Sequence, residues 1–136
     1  MFLFDTDILS TLAKKKRPEV LIDRLRSTPR PEQHTSAITV GEIYAGIYKA
    51  EIRSGLLRFY EERVFPQLTV LDYDCGSARI FGWIKSALEK QGHPRSDLDL
   101  QIAAIAVQHR LTLVTENVKH FRGIPGLTVE NWLEPA

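Results

Sequence analysis

Two patterns of apolar positions recur along this chain, continuous apolar runs and apolar residues at helical spacing. Continuous runs predict buried strands at residues 1–4 and 111–114. Residues 67–71 are predicted to form a short strand with Val70 and Leu71 facing a core, and 127–129 a further strand at the edge. Spacings of three and four predict helices at residues 8–12, 19–26, 40–47, 53–63, 77–90 and 97–109. Strands that alternate with helices require crossover connections, so we expect an α/β fold with a parallel sheet.

Composition and charge narrow the class of protein. The 136 residues fit one domain, expected at 1–136, and 43% hydrophobic with 26% charged residues is ordinary globular usage. A net charge of +1 means that any site for nucleic acid must be local. No leader segment opens the chain and no apolar stretch approaches ~18 residues, which predicts a cytoplasmic protein without a membrane span. Cys75 has no partner for a disulfide and is expected to be a small buried residue.

Oxygen ligands cluster where predicted strands end and helices begin. Ligands of α/β proteins collect at the carboxyl ends of parallel strands, so these side chains are candidates for a common site. They are Asp5 and Asp7 after the first strand, Glu42 in the expected first turn of a helix capped by Thr39, Asp97 and Asp99 at a helix start, and Glu116 and Asn117 after the strand at 111–114.

Each of these positions also has a structural explanation, and the sequence leaves both open. The alternatives are a helix cap at Asp5 or Asp7, a capping box of Thr39 and Glu42, a cap at Ser96 followed by acids that complement the helix dipole, and a turn at Asn117. Taken together, however, crowded carboxylates repel one another unless a cation lies between them.

The types of residue present indicate which cation to expect. Aspartate and glutamate oxygens favour Mg²⁺ or Mn²⁺ over zinc. The four histidines lack metal-ligand spacing and are expected in structural or surface roles: His34, His93, His109 and His120. There is no glycine-rich phosphate loop and no G-x-S-x-G motif, so a P-loop nucleotidase and a serine hydrolase both lack a site.

Five segments, in this order, resemble the PIN-domain family and more narrowly the VapC-type toxins of prokaryotic toxin–antitoxin pairs. They are Phe-Asp-Thr-Asp-Ile-Leu-Ser at 4–10, Ser-Ala-Ile-Thr-Val-Gly-Glu at 36–42 with Gly46, Val-Leu-Asp-Tyr-Asp at 70–74, Asp-Leu-Asp-Leu-Gln-Ile-Ala-Ala-Ile-Ala at 97–106, and Leu-Val-Thr-Glu-Asn at 113–117 with Phe121 and 126–132. The match covers nearly the whole chain.

The resemblance implies a PIN-like three-layer sandwich whose central parallel sheet of four to five strands is flanked by helices. It implies a Mg²⁺-dependent endoribonuclease toxin, with Mn²⁺ as a substitute, that forms a homodimer and is inhibited by a cognate antitoxin. By position, Asp5, Glu42 and Asp99 match the family's metal-binding catalytic acids, and Asn117 falls at a fourth catalytic place that is often Asp. Asp7 stands where the family commonly has Asn, and cleavage is expected to leave a 5′-phosphate.

The remaining expectations concern contacts and rival functions. Local cations at 14–17 or Arg95 are expected to steer RNA. The dimer is expected to use an apolar patch of Ile43, Tyr44, Ile47, Tyr48, Leu56, Leu57 and Tyr60. Asp5-Thr6-Asp7 after a strand also resembles the opening motif of haloacid-dehalogenase-like phosphatases, in which the first Asp is the nucleophile. The third possibility is a non-catalytic module with the same fold.

Overall fold

A five-stranded parallel sheet forms the centre of the computed structural model, which describes residues 1–50 and 55–135. The strands are β1 (Phe2–Phe4), β2 (Gln33–Ser36), β3 (Thr69–Leu71), β4 (Thr112–Val114) and β5 (Val129–Glu130). Their order in the sheet is β3-β2-β1-β4-β5. The predicted α/β fold with a parallel sheet is confirmed, with β2 as a strand that the apolar pattern did not predict.

Seven α-helices connect these strands within the described residues. They are α1 (Thr6–Thr11), α2 (Glu19–Ser27), α3 (Ala37–Lys49), α4 (Leu56–Phe59), α5 (Cys75–Lys90), α6 (Asp97–His109) and α7 (Val118–Phe121). Short 3-10 turns lie at Arg30–Glu32 and Phe65–Gln67, and a π-helical turn follows α4 at Tyr60–Val64. The start of the helix predicted at 53–63 lies outside the described residues. None of the helices in the described ranges has the length and hydrophobicity needed to cross a bilayer.

Helices cover both faces of the sheet. Successive strand residues point to opposite sides, so each strand contributes side chains to the core on each face. Leu3 and Leu113 belong to the core on one face, which they share with side chains of α5 and α6. Phe4 and Val114, the next residue in each strand, belong to the core on the other face, with side chains of α1, α2 and α3. Both central strands are therefore buried on both faces, as their continuous apolar sequence predicts.

Hydrogen bonds at the helix starts correct one predicted cap and support another. Ser36, and not Thr39, is the N-cap of α3, since its Oγ accepts from the Thr39 backbone N–H at 3.0 Å. Helix α3 consequently begins at Ala37, and Glu42 lies in its second turn rather than its first. The capping box of Thr39 and Glu42 was therefore wrong. Ser96 does cap α6, as its Oγ accepts from Asp99 N–H at 3.2 Å.

Burial changes several expectations about surfaces. Most of the apolar patch expected at a dimer interface belongs to the core or packs on it: Ile43, Ile47 and Tyr60 are each at most 6% exposed, and Tyr44 and Leu56 are partly buried against them. Two members of that patch remain outside, Tyr48 at 72% and Leu57 at 38% exposure. Cys75, expected to be buried, is exposed at the start of α5, and Val70 of the edge strand β3, expected to face a core, is 40% exposed.

The topology defines where a ligand site should lie. Strand β1 pairs with β2 on one side and with β4 on the other. The chain moves outward from β1 to β2 and β3 and then crosses back to β4, so the order of the strands reverses between β1 and β4. Such a switch point is where open α/β sheets bind their ligands, outside the carboxyl ends of the strands.

Candidate active site

One cavity of about 450 Å³ lies at this switch point and gathers side chains from distant parts of the chain. It is lined by Asp5, Thr6, Asp7, Ser10, Thr11, Lys14, Glu42, Asp99, Glu116, Asn117 and His120. Five carboxylates therefore face a single cavity that contains one lysine. The structure brings together Asp5, Glu42, Asp99 and Asn117, the four residues proposed from the sequence as catalytic.

Asp5 is the most buried acid of the site, with 6% of its surface exposed. Its Oδ1 accepts from the Thr6 backbone N–H at 2.7 Å, so Asp5 is also the N-cap of α1, as one of the alternatives held. Burial raises the pKa of Asp5 to about 7, and the neighbouring charges of Asp7 and, more weakly, Asp99 add to the rise. The Asp5 carboxylate thus both caps α1 and lines the cavity.

The hydroxyl of Thr115 lies between two of the acids. Its Oγ1 is 2.9 Å from Asp5 Oδ2 and 3.1 Å from Asp7 Oδ2. A hydroxyl has one proton to donate, so it can satisfy only one carboxylate at a time. A protonated Asp5 resolves the arrangement, because Asp5 then donates to Thr115 and Thr115 donates to Asp7. This geometry agrees with the raised pKa of Asp5.

Asp7 holds the loop that follows β4. Its Oδ2 accepts from the backbone N–H groups of Glu116 at 3.0 Å and Asn117 at 3.2 Å, and from the Asn117 side-chain amide at 3.0 Å. Among the described residues, the second oxygen of Asp7, Oδ1, is buried without a hydrogen-bond partner. Asp7 therefore orients Asn117 with one oxygen and leaves the other unsatisfied.

Glu42 is held by a chain of hydroxyl groups. The Thr6 hydroxyl donates to Glu42 Oε1 at 2.6 Å, and its oxygen lies 3.3 Å from the Thr39 hydroxyl. The Ser36 hydroxyl lies 3.3 Å from that of Thr39 in turn. Thr6, which the sequence analysis did not single out, therefore connects α1 to α3 and sets the direction of the Glu42 carboxylate.

Asp99 and Asp97 occupy different environments although only one residue separates them. Asp99 lines the cavity, and its Oδ2 lies 3.5 Å from Nδ1 of His120. Asp97 is an exposed partner of Lys85 at 2.9 Å and does not line the cavity. The expectation that Asp97 contributes to the site was wrong. His120, for which only a structural or surface role was expected, is a residue of the site that the sequence analysis missed.

Of the cations expected to steer RNA, one lines the cavity and others do not. Lys14 lines the cavity with the carboxylates. Arg95 does not, because its guanidinium donates to the backbone carbonyls of His93, His120 and Arg122 at 2.6, 3.1 and 3.0 Å. Arg95 therefore joins two segments of the chain, and its expected role in steering RNA has no support in this geometry.

The chemistry of the donors suits a hard divalent cation. The donors are carboxylate oxygens, one buried oxygen of Asp7 is unsatisfied, and the carboxylates raise the pKa of Asp5, an effect that a cation would oppose. In the described part of the chain, no three acidic, histidine or cysteine side chains are already arranged to hold a metal ion. The residues fit such an ion by type and by shared location, and its binding would have to draw the carboxylates closer.

Known proteins resemble this chain over nearly its whole length. The family model described as PIN domain matches residues 2–127. "Ribonuclease VapC2" of Haemophilus influenzae is 34% identical over 132 residues, which is 97% of this chain and 98% of that protein. The "tRNA(fMet)-specific endonuclease VapC" of Salmonella typhimurium is 33% identical over 132 residues, covering 96% of this chain and 97% of its own.

Solved structures show the same similarity in three dimensions. FitAcB from Neisseria gonorrhoeae superposes with a TM-score of 0.92 at 27% identity, covering 99% of this chain and 100% of that one. A toxin–antitoxin complex from Klebsiella pneumoniae gives a TM-score of 0.74 at 27% identity, covering 99% and 100%. The similarity extends over the whole length in both sequence and structure.

Proposed function

Because the chain belongs to the PIN-domain family and, by its full-length similarity, to the VapC ribonucleases within it, we propose that it is the endoribonuclease toxin of a toxin–antitoxin pair. One observation carries this proposal. Carboxylates from four separate parts of the chain meet at the switch point of the sheet, where burial and mutual repulsion raise the pKa of Asp5 to about 7. Such a charge arrangement suits a site that handles a cation and a phosphodiester.

Asp5, Asp99 and Glu42 are the residues proposed to hold Mg²⁺, with Mn²⁺ as a substitute. When bound, the ion would supply Lewis-acid chemistry, stabilising charge on the scissile phosphate and lowering the pKa of the attacking water. The other residues position these three. Thr6 donates to Glu42, and the Thr115 hydroxyl contacts both Asp5 and Asp7. The proposed hydrolysis leaves a 5′-phosphate and a 3′-hydroxyl.

Asn117 has a positioning role in this proposal. Its side-chain amide nitrogen donates to Asp7. We assign Asn117 the task of fixing the loop after β4 against α1. The fourth acidic place of the family serves here to orient the loop.

The proposed partners follow from the relatives. The Klebsiella structure is a toxin–antitoxin complex, and a protein antitoxin is the partner proposed for this chain. A homodimer is also proposed, although the patch expected to form it is mostly core, and only Tyr48 and Leu57 of that patch are exposed. The phosphatase alternative loses its basis, since the family is PIN.

Two substitutions on the same helix test the function. Purified protein is expected to cleave a single-stranded RNA oligonucleotide in Mg²⁺ and to stop in EDTA. Asp99→Asn is expected to abolish cleavage, whereas Asp97→Asn, the same chemical change two residues earlier and outside the cavity, is expected to cut at the parental rate. Cleavage by Asp99→Asn, or a parent protein that binds RNA without cutting it, would contradict the proposal, the latter in favour of a non-catalytic module.

A further inference from the structure

A second, larger cavity of about 800 Å³ adjoins the acidic one along α7. The two cavities share Glu116, Asn117 and His120 in their walls, so a strand longer than one nucleotide can extend from one into the other. Beyond the shared residues, the charged side chains in the wall of the second cavity are Lys119, Arg122 and one acid, Glu134. In the described residues neither Lys119 nor Arg122 forms an ion pair, so both charges are available to a polyanion.

His120 stands at the junction of the two cavities. Its ring is beside Asp99, with 3.5 Å between Nδ1 and Oδ2, and 59% of its side chain is exposed. An imidazole N–H donates hydrogen bonds in either neutral tautomer as well as in the charged form. His120 can therefore donate to a phosphate oxygen next to the carboxylates through a protonated ring nitrogen that is not turned to Asp99.

Arg95 determines where this ring lies. Its guanidinium donates to the carbonyl of His120 at 3.1 Å and to that of Arg122 at 3.0 Å, at the end of α7. A third bond, at 2.6 Å, goes to the carbonyl of His93, in the loop that leads into α6. One side chain thus connects the two segments that present Asp99 and His120, and the rigid fork of the guanidinium directs a separate nitrogen at each of the three carbonyls.

We propose that α7 positions the RNA strand: His120, Lys119 and Arg122 contact backbone phosphates beside the scissile bond, and Arg95 sets the position of His120 relative to Asp99. The inference rests on the proposed ribonuclease function and adds the direction in which the substrate leaves the acidic cavity. Arg95 is a positioning residue here and makes no contact with RNA.

Binding of a fluorescently labelled single-stranded RNA, measured by anisotropy in EDTA, separates binding from cleavage. His120→Ala and Arg122→Gln are each expected to weaken binding roughly tenfold, the loss for one charge-assisted hydrogen bond. Arg122→Gln should also make the slope of log K against log salt shallower by about 0.7, the value for one phosphate contact on a single strand. His109→Ala and Arg79→Gln make the same changes at exposed positions outside both cavities and are expected to bind like the parent.

The role of Arg95 is tested by its charge-conserving variant. Arg95→Lys keeps the positive charge but loses the fork, so it is expected to weaken RNA binding as His120→Ala does. The double variant should lose no more RNA affinity than His120→Ala alone, because Arg95 acts through His120. If Arg95→Lys retains parental binding, Arg95 either contacts RNA through its charge or has no role, and the proposed positioning is wrong. If Arg95→Lys does not fold, the binding of the His120 and Arg122 variants decides the proposal.

Two outcomes overturn the inference as a whole. One is parental RNA binding by both His120→Ala and Arg122→Gln. The other is a His120→Ala variant that binds RNA normally but has lost affinity for Mg²⁺ in calorimetry, since His120 would then serve only to orient Asp99. Cleavage by the parent protein in Mg²⁺ is measured alongside: if it cuts RNA while the variants bind normally, only the α7 proposal fails, and if it binds RNA without cutting, only the ribonuclease proposal fails.

Discussion

The Asp7 carboxylate accepts a hydrogen bond from the side-chain amide of Asn117 at 3.0 Å, joining α1 to the loop after β4 across more than a hundred residues of sequence. The resemblance to VapC-type toxins places Asn more commonly at the first of these positions and Asp often at the second. Against that resemblance, the acid and the amide stand in exchanged places in this chain, and one carboxylate with one amide is enough for the hydrogen bond between them. The exchange leaves the number of carboxylates unchanged while moving one from the loop to the helix.

Reversing the exchange tests whether the two positions form a unit. Asn117→Asp alone places a second carboxylate against Asp7 and is expected to destabilise the protein through like-charge repulsion. The double variant Asp7→Asn with Asn117→Asp restores one amide and one acid, so it should be more stable than Asn117→Asp alone. A coupling free energy of about 1 kcal/mol is expected, within the range for contacting polar pairs. Urea unfolding of the four proteins of the cycle measures it, and strictly additive effects would show that the two side chains act independently.

Asp5 makes stability depend on pH in a defined direction. Because its pKa is about 7 in the folded protein and near 3.8 when unfolded, the folded state binds the additional proton. The stabilisation from that proton is fully present below about pH 4 and is lost as pH rises through about 7, and it amounts to on the order of 4 kcal/mol. The free energy of unfolding in EDTA should therefore fall across this window in the parent protein, relative to Asp5→Asn.

The comparison with Asp5→Asn isolates this carboxyl from all other titrating groups. Asp97→Asn provides the matched control, because Asp97 is exposed and does not line the cavity. Its free energy of unfolding, plotted against pH, should run parallel to that of the parent. Parallel curves for the parent and Asp5→Asn would show that the pKa of Asp5 is not raised in solution.

The elements that could be predicted from the sequence are those that bury apolar residues in a regular pattern. The continuous run of β1 and the helical spacing of α5 and α6 reflect burial, and the structure confirms them. Strand β2 escaped prediction because its sequence, Gln-His-Thr-Ser, is polar. Its side chains are satisfied by contacts distant in sequence, such as the Thr35 hydroxyl that donates to the Phe4 carbonyl at 2.8 Å.

The site was predictable in its acids but not in its supporting residues. Asp97 could have been excluded, because residues two apart on a helix point to nearly opposite sides. The position of His120 could not have been foreseen, since it depends on a bond from Arg95 to a backbone carbonyl 25 residues away. The same holds for Thr6, whose link to Glu42 spans 36 residues.

Thr6 offers a test of whether Glu42 must be held in place. Thr6→Val keeps the shape but removes the hydroxyl that donates to Glu42 Oε1 at 2.6 Å. Changes to residues that orient metal ligands commonly cost 10- to 100-fold in activity or metal affinity, so RNA cleavage should fall by roughly that factor. Thr6→Ser restores the hydroxyl and should recover most of the rate. Thr128→Val, at an exposed threonine outside the cavity, is the matched control. Equal rates for Thr6→Val and the parent would mean that Glu42 needs no such support.

Stability with and without Mg²⁺ tests the use of Asp99 in metal binding independently of catalysis. In EDTA, Asp99→Asn removes one of the charges that raise the pKa of Asp5, so the variant should be at least as stable as the parent. Mg²⁺ at about ten times its dissociation constant should stabilise the parent by roughly 1.4 kcal/mol, which corresponds to a rise of about 5 °C in Tm. Asp99→Asn should gain much less, whereas Asp97→Asn should gain as much as the parent. Thermal melts of the three proteins in EDTA and in Mg²⁺ measure these differences. If Asp99→Asn gains the full stabilisation, the ion is held by other residues, and Asp99 serves only the first turn of α6, where Asn would replace it at little cost.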